Sequence, residues 1–98
     1  MPKRVEYLED ARVDFDESFT WYEQRSQAAA FGFVLAMDEA IASILEDPHR
    51  FPRTHGECRY YKLRRFPFRV VFRDETERLV IVAIAHAKRH PDYWRRRR

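Results

Sequence analysis

Side chains that can take part in acid–base or phosphate chemistry crowd one stretch of the sequence, from His86 to Trp94 (HAKRHPDYW). Histidine titrates near neutral pH, which makes His86 and His90 candidate acids or bases. Arginine stays protonated, so Arg89 suits an anion but is a poor general base. His86 also ends an apolar run, and a hydrogen-bonded structural histidine is the alternative to a catalytic one.

A β-hairpin is predicted to deliver this stretch. Two runs rich in Val, Ile and Phe flank the polar tetrad DETE at residues 74–77, a pattern typical of two strands with a short loop. The first run, FRVVFR, alternates large apolar residues with arginines and is expected to be only partly buried. The second run, Leu79 to Ala85 (LVIVAIA), is apolar at every position, so we expect a central strand covered on both faces.

Length and composition exclude several classes of protein. The 98 residues predict one domain whose core needs no disulfide, and the lone Cys58 has no partner for an internal bridge. Two glycines leave no Gly-rich phosphate loop, and the Cys and His spacing fits no metal site, so no cofactor or metal is expected. Neither a signal peptide nor a transmembrane run is identified. We expect a soluble cytoplasmic protein.

Charge is segregated along the chain, although the net charge is only +3. Residues 1–47 hold 4 Lys or Arg against 11 Asp or Glu, whereas residues 48–98 hold 15 against 5. A basic half of this kind attracts anionic partners such as nucleic acid or an acidic protein segment. Solubility, with complementarity between the two halves, is the alternative explanation.

The first half of the chain predicts a strand and two helices. Lys3 to Leu8 is typical of a short strand, and Asp10 to Gln24 and Gln27 to Glu46 have apolar residues at helical spacing. Ser26 is placed to cap the second helix, and Pro48 to stop it. The apolar positions expected to face a core are Ala11, Phe15, Phe19, Tyr22, Ala30, Phe33, Val34, Met37, Ile41, Ile44 and Leu45. Helices joined so closely should form an antiparallel hairpin on the sheet.

A basic strand is predicted after a loop from Pro48 to Glu57. Cys58 to Arg65 (CRYYKLRR) interleaves cations with tyrosines, which suits a nucleic-acid backbone and equally protects a sheet edge. The side chains predicted to contact nucleic acid or an acidic protein partner are Arg59, Lys62, Arg64, Arg69 and Arg73. The chain thus predicts an α+β fold: a two-helix antiparallel hairpin on a largely antiparallel sheet of about four strands, in the order β-α-α-β-β-β, with a basic C-terminal tail.

This order of elements, together with several motifs, resembles the RelE/ParE superfamily of bacterial toxins from type II toxin–antitoxin modules. The motifs are AxxDF at residues 11–15, the pair Trp21-Tyr22, LEDPHRFP at 45–52, YKLRRFPFRVVF at 61–72 and IAHAKRHPDYW at 84–94. The likeness covers almost the whole chain. It implies a small toxin that a cognate antitoxin holds inactive in a hetero-oligomer.

Two activities are known in this superfamily. RelE-like members cleave mRNA on the ribosome without a metal, which requires a base, an acid and cations for the phosphorane charge. The resemblance to that pattern implies a catalytic set of Arg69, His86, Arg89 and Tyr93. ParE-like members inhibit DNA gyrase by binding and do not cleave RNA.

The sequence favours the ParE-like, plasmid-stabilisation branch. Its FPF segment and its ending H-x-K-R-H-P-x-Y-W are more similar to that branch. The residues that could act as the base for RNA cleavage are also incomplete. RelE-like members cluster several lysines around the second strand, and here only Lys62 occupies that strand. In a ParE-like protein Arg69 and Arg89 would serve architecture, for instance by pairing with Asp14 or Glu17. An mRNA endoribonuclease is the alternative, and an inactive or regulatory member is the third reading.

Two further expectations concern docking and the tail. The antitoxin is expected to bind the basic sheet side, from Arg59 to Arg73, by strand addition and apolar anchors. The run from Arg95 to Arg98 is expected to be a frayed terminus rather than a phosphate-binding arm. Tyr93 and Trp94 are expected to pin the preceding segment onto the fold.

Overall fold

The computed structural model describes residues 3–98, and its elements follow the predicted order. The first half contains strand β1 (Arg4–Tyr7), helix α1 (Glu9–Glu23) and helix α2 (Gln27–Glu46). The second half contains strands β2 (Cys58–Lys62), β3 (Phe68–Asp74) and β4 (Arg78–His86). The predicted α+β class, with a helical hairpin packed on a four-stranded sheet, is confirmed.

The sheet has the strand order β1-β4-β3-β2, so β4 is central, as its unbroken apolar run predicted. β1 pairs with β4 in parallel, from Arg4 opposite Arg78 to Tyr7 opposite Ile81. β3 is antiparallel to both β4 and β2. The predicted hairpin between β3 and β4 closes with a hydrogen bond of 2.9 Å from the Glu75 N–H to the Arg78 carbonyl.

Both faces of the sheet are covered, as an apolar β4 requires. On one face the helices contribute Phe33 and Met37 to a core cluster that includes Phe72 and Leu79 of the sheet. On the other face Trp94, only 4% exposed, packs in a second cluster with valines of β3 and β4. The expected burial of Trp94 is confirmed, and the C-terminal segment covers the face of the sheet that the helices leave open.

A bulge in the central hairpin changes which side chains face the helices. The register of β3 against β4 shifts between Val71 and Phe72. Opposite that step β4 carries one extra residue, which interrupts the alternation of side chains along the strand. Ile81 and Ile84 therefore both join the helix-side core although they are three positions apart.

The helices begin and end as local chemistry dictates. The Ser26 hydroxyl accepts a hydrogen bond of 3.2 Å from the Ala29 N–H and caps α2, as predicted, and α2 ends just before Pro48. Most of the predicted apolar positions lie in or against the core. Leu45, however, is 38% exposed, so its assignment to the core is wrong. It is turned about 100° around the helix axis from the buried Ile44 and points outward.

Helix α2 is apolar on both sides. By length and composition alone this helix qualifies as a membrane span, which corrects the expectation that no run of the chain does so. Core helices of soluble proteins meet the same criterion. Its inner face packs in the core through Phe33, Met37 and Ile44. Its outer face leaves Phe31 64% and Leu35 51% exposed.

The predicted end of the basic strand is wrong. β2 ends at Lys62 rather than at Arg65, because Arg65 has a positive φ of 68° and turns the chain toward Pro67, which has no N–H to donate. The predicted loop that precedes this strand contains one short 3-10 helix, Pro48–Arg50.

Candidate functional site

The central strand β4 is longer than its parallel neighbour, and this difference creates the site. β1 accompanies β4 only as far as Ile81, whose carbonyl accepts from the Leu8 N–H at 3.0 Å. Beyond that point, within residues 3–98, the backbone from Val82 to His86 has no strand on this side. Buried strand groups of this kind need other partners, since leaving them unpaired costs free energy.

Three side chains bond to the open edge of β4. The Ile84 N–H donates to Asp14 Oδ2 at 3.0 Å. The Tyr93 hydroxyl lies 3.3 Å from the Ile84 carbonyl oxygen, and the Arg97 guanidinium donates to the Val82 carbonyl at 3.1 Å. Helix α1 supplies the carboxylate, and the turn after β4 supplies the phenol and the guanidinium. We call Asp14, Tyr93 and Arg97 the edge cluster.

Asp14 is the centre of the edge cluster. It is 7% exposed and lies three positions after the fully buried Ala11, on the side of α1 that faces the sheet. Its carboxylate accepts from the Arg97 guanidinium at 2.6 and 3.1 Å, and Oδ2 also lies 3.2 Å from the Tyr93 hydroxyl. Among the described residues, no buried side-chain nitrogen or oxygen lacks a hydrogen-bond partner. This buried charge is therefore both paired and hydrogen-bonded.

Burial fixes the protonation of the two partners of Asp14. Burial raises the pKa of Tyr93 to about 12, and the negative charge of Asp14 acts in the same direction. The pKa of Arg97 is raised as well: burial opposes the charged form, but the hydrogen bond and the charge of Asp14 outweigh it. Near neutral pH Tyr93 is therefore a neutral phenol and Arg97 a cation.

The C-terminal arginines are not simply a frayed tail, which corrects the expectation for residues 95–98. The Arg97 side chain is 13% exposed and reaches Asp14, and Arg95 pairs with Asp92 at 2.9 Å. Like-charge repulsion favoured fraying, but a buried acceptor on α1 outweighs it. Sequence reasoning missed Arg97 as a site residue. The signal for it was Asp14, a carboxylate beside the apolar stripe of α1, because a buried carboxylate requires a cation.

Two concavities flank the end of β4. The larger, the apolar groove, lies between α1 and the ends of β3 and β4 and has a volume of about 480 Å³. Its walls include Trp21, Tyr22, Phe68, Ile84, Lys88 and Arg89. The smaller, the tail cleft, lies between the sheet and the C-terminal turn and has a volume of about 280 Å³. Its walls include Tyr60, Arg69, Arg89, His90, Trp94 and Arg95.

Three of the four residues implied for catalysis, Arg69, His86 and Arg89, line the tail cleft, and Tyr93 does not. Arg69 lies in the tail cleft, with its guanidinium 4.4 Å from the centre of the Tyr60 ring. His86 and Arg89 line both concavities. Tyr93 lines neither, because its hydroxyl is held in the edge cluster. A catalytic role for these residues stays a prediction.

His86 has the contacts of a structural histidine. Its ring packs edge-on against Phe68, with ring centres 5.0 Å apart, and its Nδ1 accepts from the Lys88 N–H at 3.0 Å. These contacts fit the hydrogen-bonded structural alternative, and the choice between a structural and a catalytic role for His86 stays a prediction. Nε2 remains the ring nitrogen that can face a ligand.

The two implied phosphate-binding arginines differ in their surroundings. Arg89 lies 3.8 Å from Asp14, as expected of an architectural arginine, and its guanidinium covers the Tyr93 ring at 3.6 Å. Arg69 contacts the Tyr60 ring instead of the expected helix carboxylate. Arg89 is therefore partly committed to the edge cluster, whereas Arg69 faces the tail cleft.

The side chains predicted to contact a partner do not share one face. The alternation along β2 and β3 places three cations on the face away from the helices, namely Lys62, Arg69 and Arg73. Arg59 lies on the helix side of β2, and Arg64, beyond the strand, reaches Glu39 of α2 at 3.5 Å. Their roles in binding stay predictions.

Other reactive groups are scarce in the part of the chain that the structure describes. Residues 3–98 contain no group of three His, Cys, Asp or Glu side chains arranged to hold a metal ion. Burial raises the pKa of the Cys58 thiol, which is 7% exposed, so this thiol is poorly suited to nucleophilic chemistry.

Comparison with known proteins agrees with this architecture. The sequence profile described as the ParE toxin of type II toxin–antitoxin system, parDE, matches residues 5–91. The solved structure titled chromosomal ParDE TA system from P. aeruginosa has a similar fold, with a TM-score of 0.74 and 19% identity, covering 89% of this chain and 98% of that chain. No curated protein matches the chain.

The matched profile and the fold define a toxin of the RelE/ParE superfamily, one class among the toxins of type II toxin–antitoxin systems. The chain is a member of the ParE toxin family. The resemblance seen in the sequence is thereby confirmed. The profile match includes Asp14 but ends at residue 91, so Tyr93 and Arg97 of the edge cluster lie beyond it.

We predict that Asp14→Asn lowers the free energy of unfolding by about 3 kcal/mol, because it leaves the largely buried Arg97 cation with only the exposed Asp10, 3.8 Å away, as a counter-charge. Asp16→Asn, an exposed change on the same helix, should stay within about 0.5 kcal/mol of the wild type. Urea denaturation measures both. Adding Arg97→Gln to Asp14→Asn should recover part of the loss. Equal effects of Asp14→Asn and Asp16→Asn would contradict the prediction.

The raised pKa of Tyr93 predicts a loss of stability at alkaline pH. The folded chain keeps this proton up to about pH 12, whereas the unfolded chain releases it near 10.0. The contribution of Tyr93 is therefore complete below pH 10.0 and is lost as the pH rises toward about 12. Tyr93→Phe should show a shallower decline in unfolding free energy over this range. Denaturant titrations at stepped pH test this, and a wild-type slope for Tyr93→Phe would refute it.

Proposed function

We propose that this ParE-family protein is a non-hydrolytic growth inhibitor that acts on DNA gyrase in the bacterial cytoplasm, and that a cognate antitoxin neutralises it. One observation carries the choice of a binding mechanism over RNA cleavage: the Tyr93 hydroxyl faces the buried Asp14 and the Ile84 carbonyl, not either concavity. Membership of the ParE family supports the antitoxin and the gyrase target.

The groups near the tail cleft are a poor set for RNA cleavage. Attack by a 2′-hydroxyl needs a base, an acid for the leaving oxygen and cations around one phosphate. Tyr93, with its pKa raised to about 12, is a weak acid that is already bonded to a carboxylate. His86 has one ring nitrogen occupied by the Lys88 N–H. Cations are present, and His86 and His90 line the cleft with them, but each of these histidines already accepts a backbone N–H at Nδ1, and Tyr93 is held in the edge cluster, which supports binding rather than hydrolysis.

A ribosome-dependent mRNA endoribonuclease is the second candidate function. The observation in its favour is the tail cleft, where Arg69, His86, Arg89 and His90 line one cavity of about 280 Å³. In that mechanism a histidine would replace the lysine base of RelE-like members, and the arginines would hold the phosphate.

We further propose that the antitoxin binds the apolar groove. Trp21 is 51% exposed there beside Tyr22 and Phe68, and an exposed large ring next to a cavity is typical of a protein-binding site. Lys88 and Arg89 of the C-terminal turn line one side of the groove, whereas Glu17 and the Arg97-paired Asp14 of α1 line another, and the two cations suit acidic residues of an amphipathic segment. The basic sheet side remains the competing docking surface.

The target is tested by expressing the protein from a tightly repressed promoter and following plasmid supercoiling and translated mRNAs during the arrest. We expect altered supercoiling with intact mRNAs. His86→Ala should arrest growth as fully as the wild type, because a binding mechanism needs no proton transfer by this ring. Rapid loss of translated mRNAs with normal supercoiling, abolished by His86→Ala in a variant that still folds, would overturn the gyrase proposal in favour of the nuclease.

The docking surface is tested by calorimetric titration with the antitoxin. Trp21→Ala should weaken binding roughly thirtyfold, the loss typical of an aromatic anchor. Phe31→Ala removes a ring that is 64% exposed on the outer face of α2 and should leave the affinity unchanged. If Arg69→Glu weakens the complex while Trp21→Ala does not, the antitoxin binds the basic sheet side instead.

A further inference from the structure

We propose that the tail cleft is a binding site for backbone phosphates of duplex DNA. For its biological meaning this inference rests on the proposed action on gyrase, an enzyme whose substrate is duplex DNA. The binding itself is a property of this chain alone. It is therefore measured without gyrase.

The charge of the tail cleft selects an anion. Three arginines line it, Arg69, Arg89 and Arg95, against one carboxylate, that of Asp92. Asp92 is already paired with Arg95 at 2.9 Å. Among the described residues Arg69 forms no ion pair, and its guanidinium rests on the Tyr60 ring with its edge open to solvent. A planar guanidinium with free N–H groups is suited to phosphate oxygens.

The positive charge continues across the sheet as a row. Lys62 of β2 lies directly opposite Arg69 of β3, on the same face, and is exposed. Ala85 of β4 is the next residue in line and is too small to block a ligand that lies across the strands. Arg89 and Arg95 stand beyond it in the C-terminal turn. The row from Lys62 to Arg95 thus crosses three strands and suits an extended anion better than a single ion.

The aromatic residues of the tail cleft indicate a duplex rather than a single strand. Proteins that hold single strands stack bases on exposed rings. Here Trp94 is 4% exposed, and the Tyr60 ring lies beneath Arg69. Neither ring therefore offers a free face on which a base could stack. The cleft therefore offers cations to phosphates and no platform for unpaired bases. Binding should be independent of sequence and steeply dependent on salt.

The edge cluster makes the site rigid. The C-terminal turn, which supplies Arg89 and Arg95, is held to β4 by Tyr93 and Arg97 and to the sheet by the buried Trp94. Its cations are therefore fixed relative to Arg69 before a ligand arrives. Preorganised charges lose less conformational entropy on binding than flexible ones.

Fluorescence anisotropy of the purified chain with a labelled short DNA duplex, at several salt concentrations, tests the inference. Arg69→Gln should weaken binding about tenfold at fixed low salt and lower the slope of log affinity against log salt by about one. Lys62→Gln should have an effect of the same kind. Arg64→Gln is the matched control: it removes the same charge from an exposed side chain that pairs with Glu39 of α2, and it should leave the slope unchanged. Thermal melts establish that each variant is folded.

Several results would overturn the inference. The first is an absence of duplex binding at low salt, and the second is an equal loss of affinity for Arg69→Gln and Arg64→Gln. The third is tighter binding of single-stranded DNA or RNA than of the duplex. The fourth is displacement of the duplex by equimolar polyglutamate, which would indicate a site for acidic peptides. Duplex binding that depends on Arg69 without any effect on gyrase would leave this inference standing and remove the proposed target. Gyrase inhibition by a variant that no longer binds DNA would keep the target and remove the role assigned to the cleft.

Discussion

A strand that extends past its neighbour leaves backbone groups to be satisfied, and in this protein the buried carboxylate of Asp14 governs how that happens. It accepts from the Ile84 N–H directly, and it holds Arg97, which donates to the Val82 carbonyl. Each of these groups would cost free energy if it were buried without a partner. Because the helix supplies the acceptor and the C-terminal turn supplies the donors, one ion pair joins helix, central strand and turn into a single unit. The walls of both concavities depend on that unit.

The same contacts limit the chemistry of the C-terminal turn. The Tyr93 ring lies beneath Arg89, yet its hydroxyl serves the fold by closing the edge of β4. Arg89 is drawn toward Asp14 and over the Tyr93 ring, so part of its charge is also used in architecture. Arg69, on the opposite side of the cleft, has no such commitment. A surface built in this way is better suited to holding a charged partner than to moving protons.

Most of the fold was predictable from the sequence, because its signals are local. The apolar run from Leu79 to Ala85, the stripe on α1 and the cap at Ser26 each depend on neighbours within one element, and each is confirmed. The site was less predictable because its geometry depends on distant contacts. Arg97 is one of four consecutive arginines, and nothing in that run distinguishes the one that reaches Asp14. The position of Arg64 likewise depended on where β2 ends, at Lys62, ahead of the positive φ of Arg65.

The contacts that complete this protein join residues far apart in sequence. Arg4 lies opposite Arg78, and Asp14 bonds to Arg97 across 83 positions, whereas the helical hairpin is local. Contacts of long sequence separation close large loops and slow the folding of a chain. Synthesis runs from the N-terminus, so on the ribosome β1 has no strand to join until β4 has been made. The helices can form early, but the apolar groove and the tail cleft, which both need the end of β4 and the turn after it, exist only once the last of these residues has emerged.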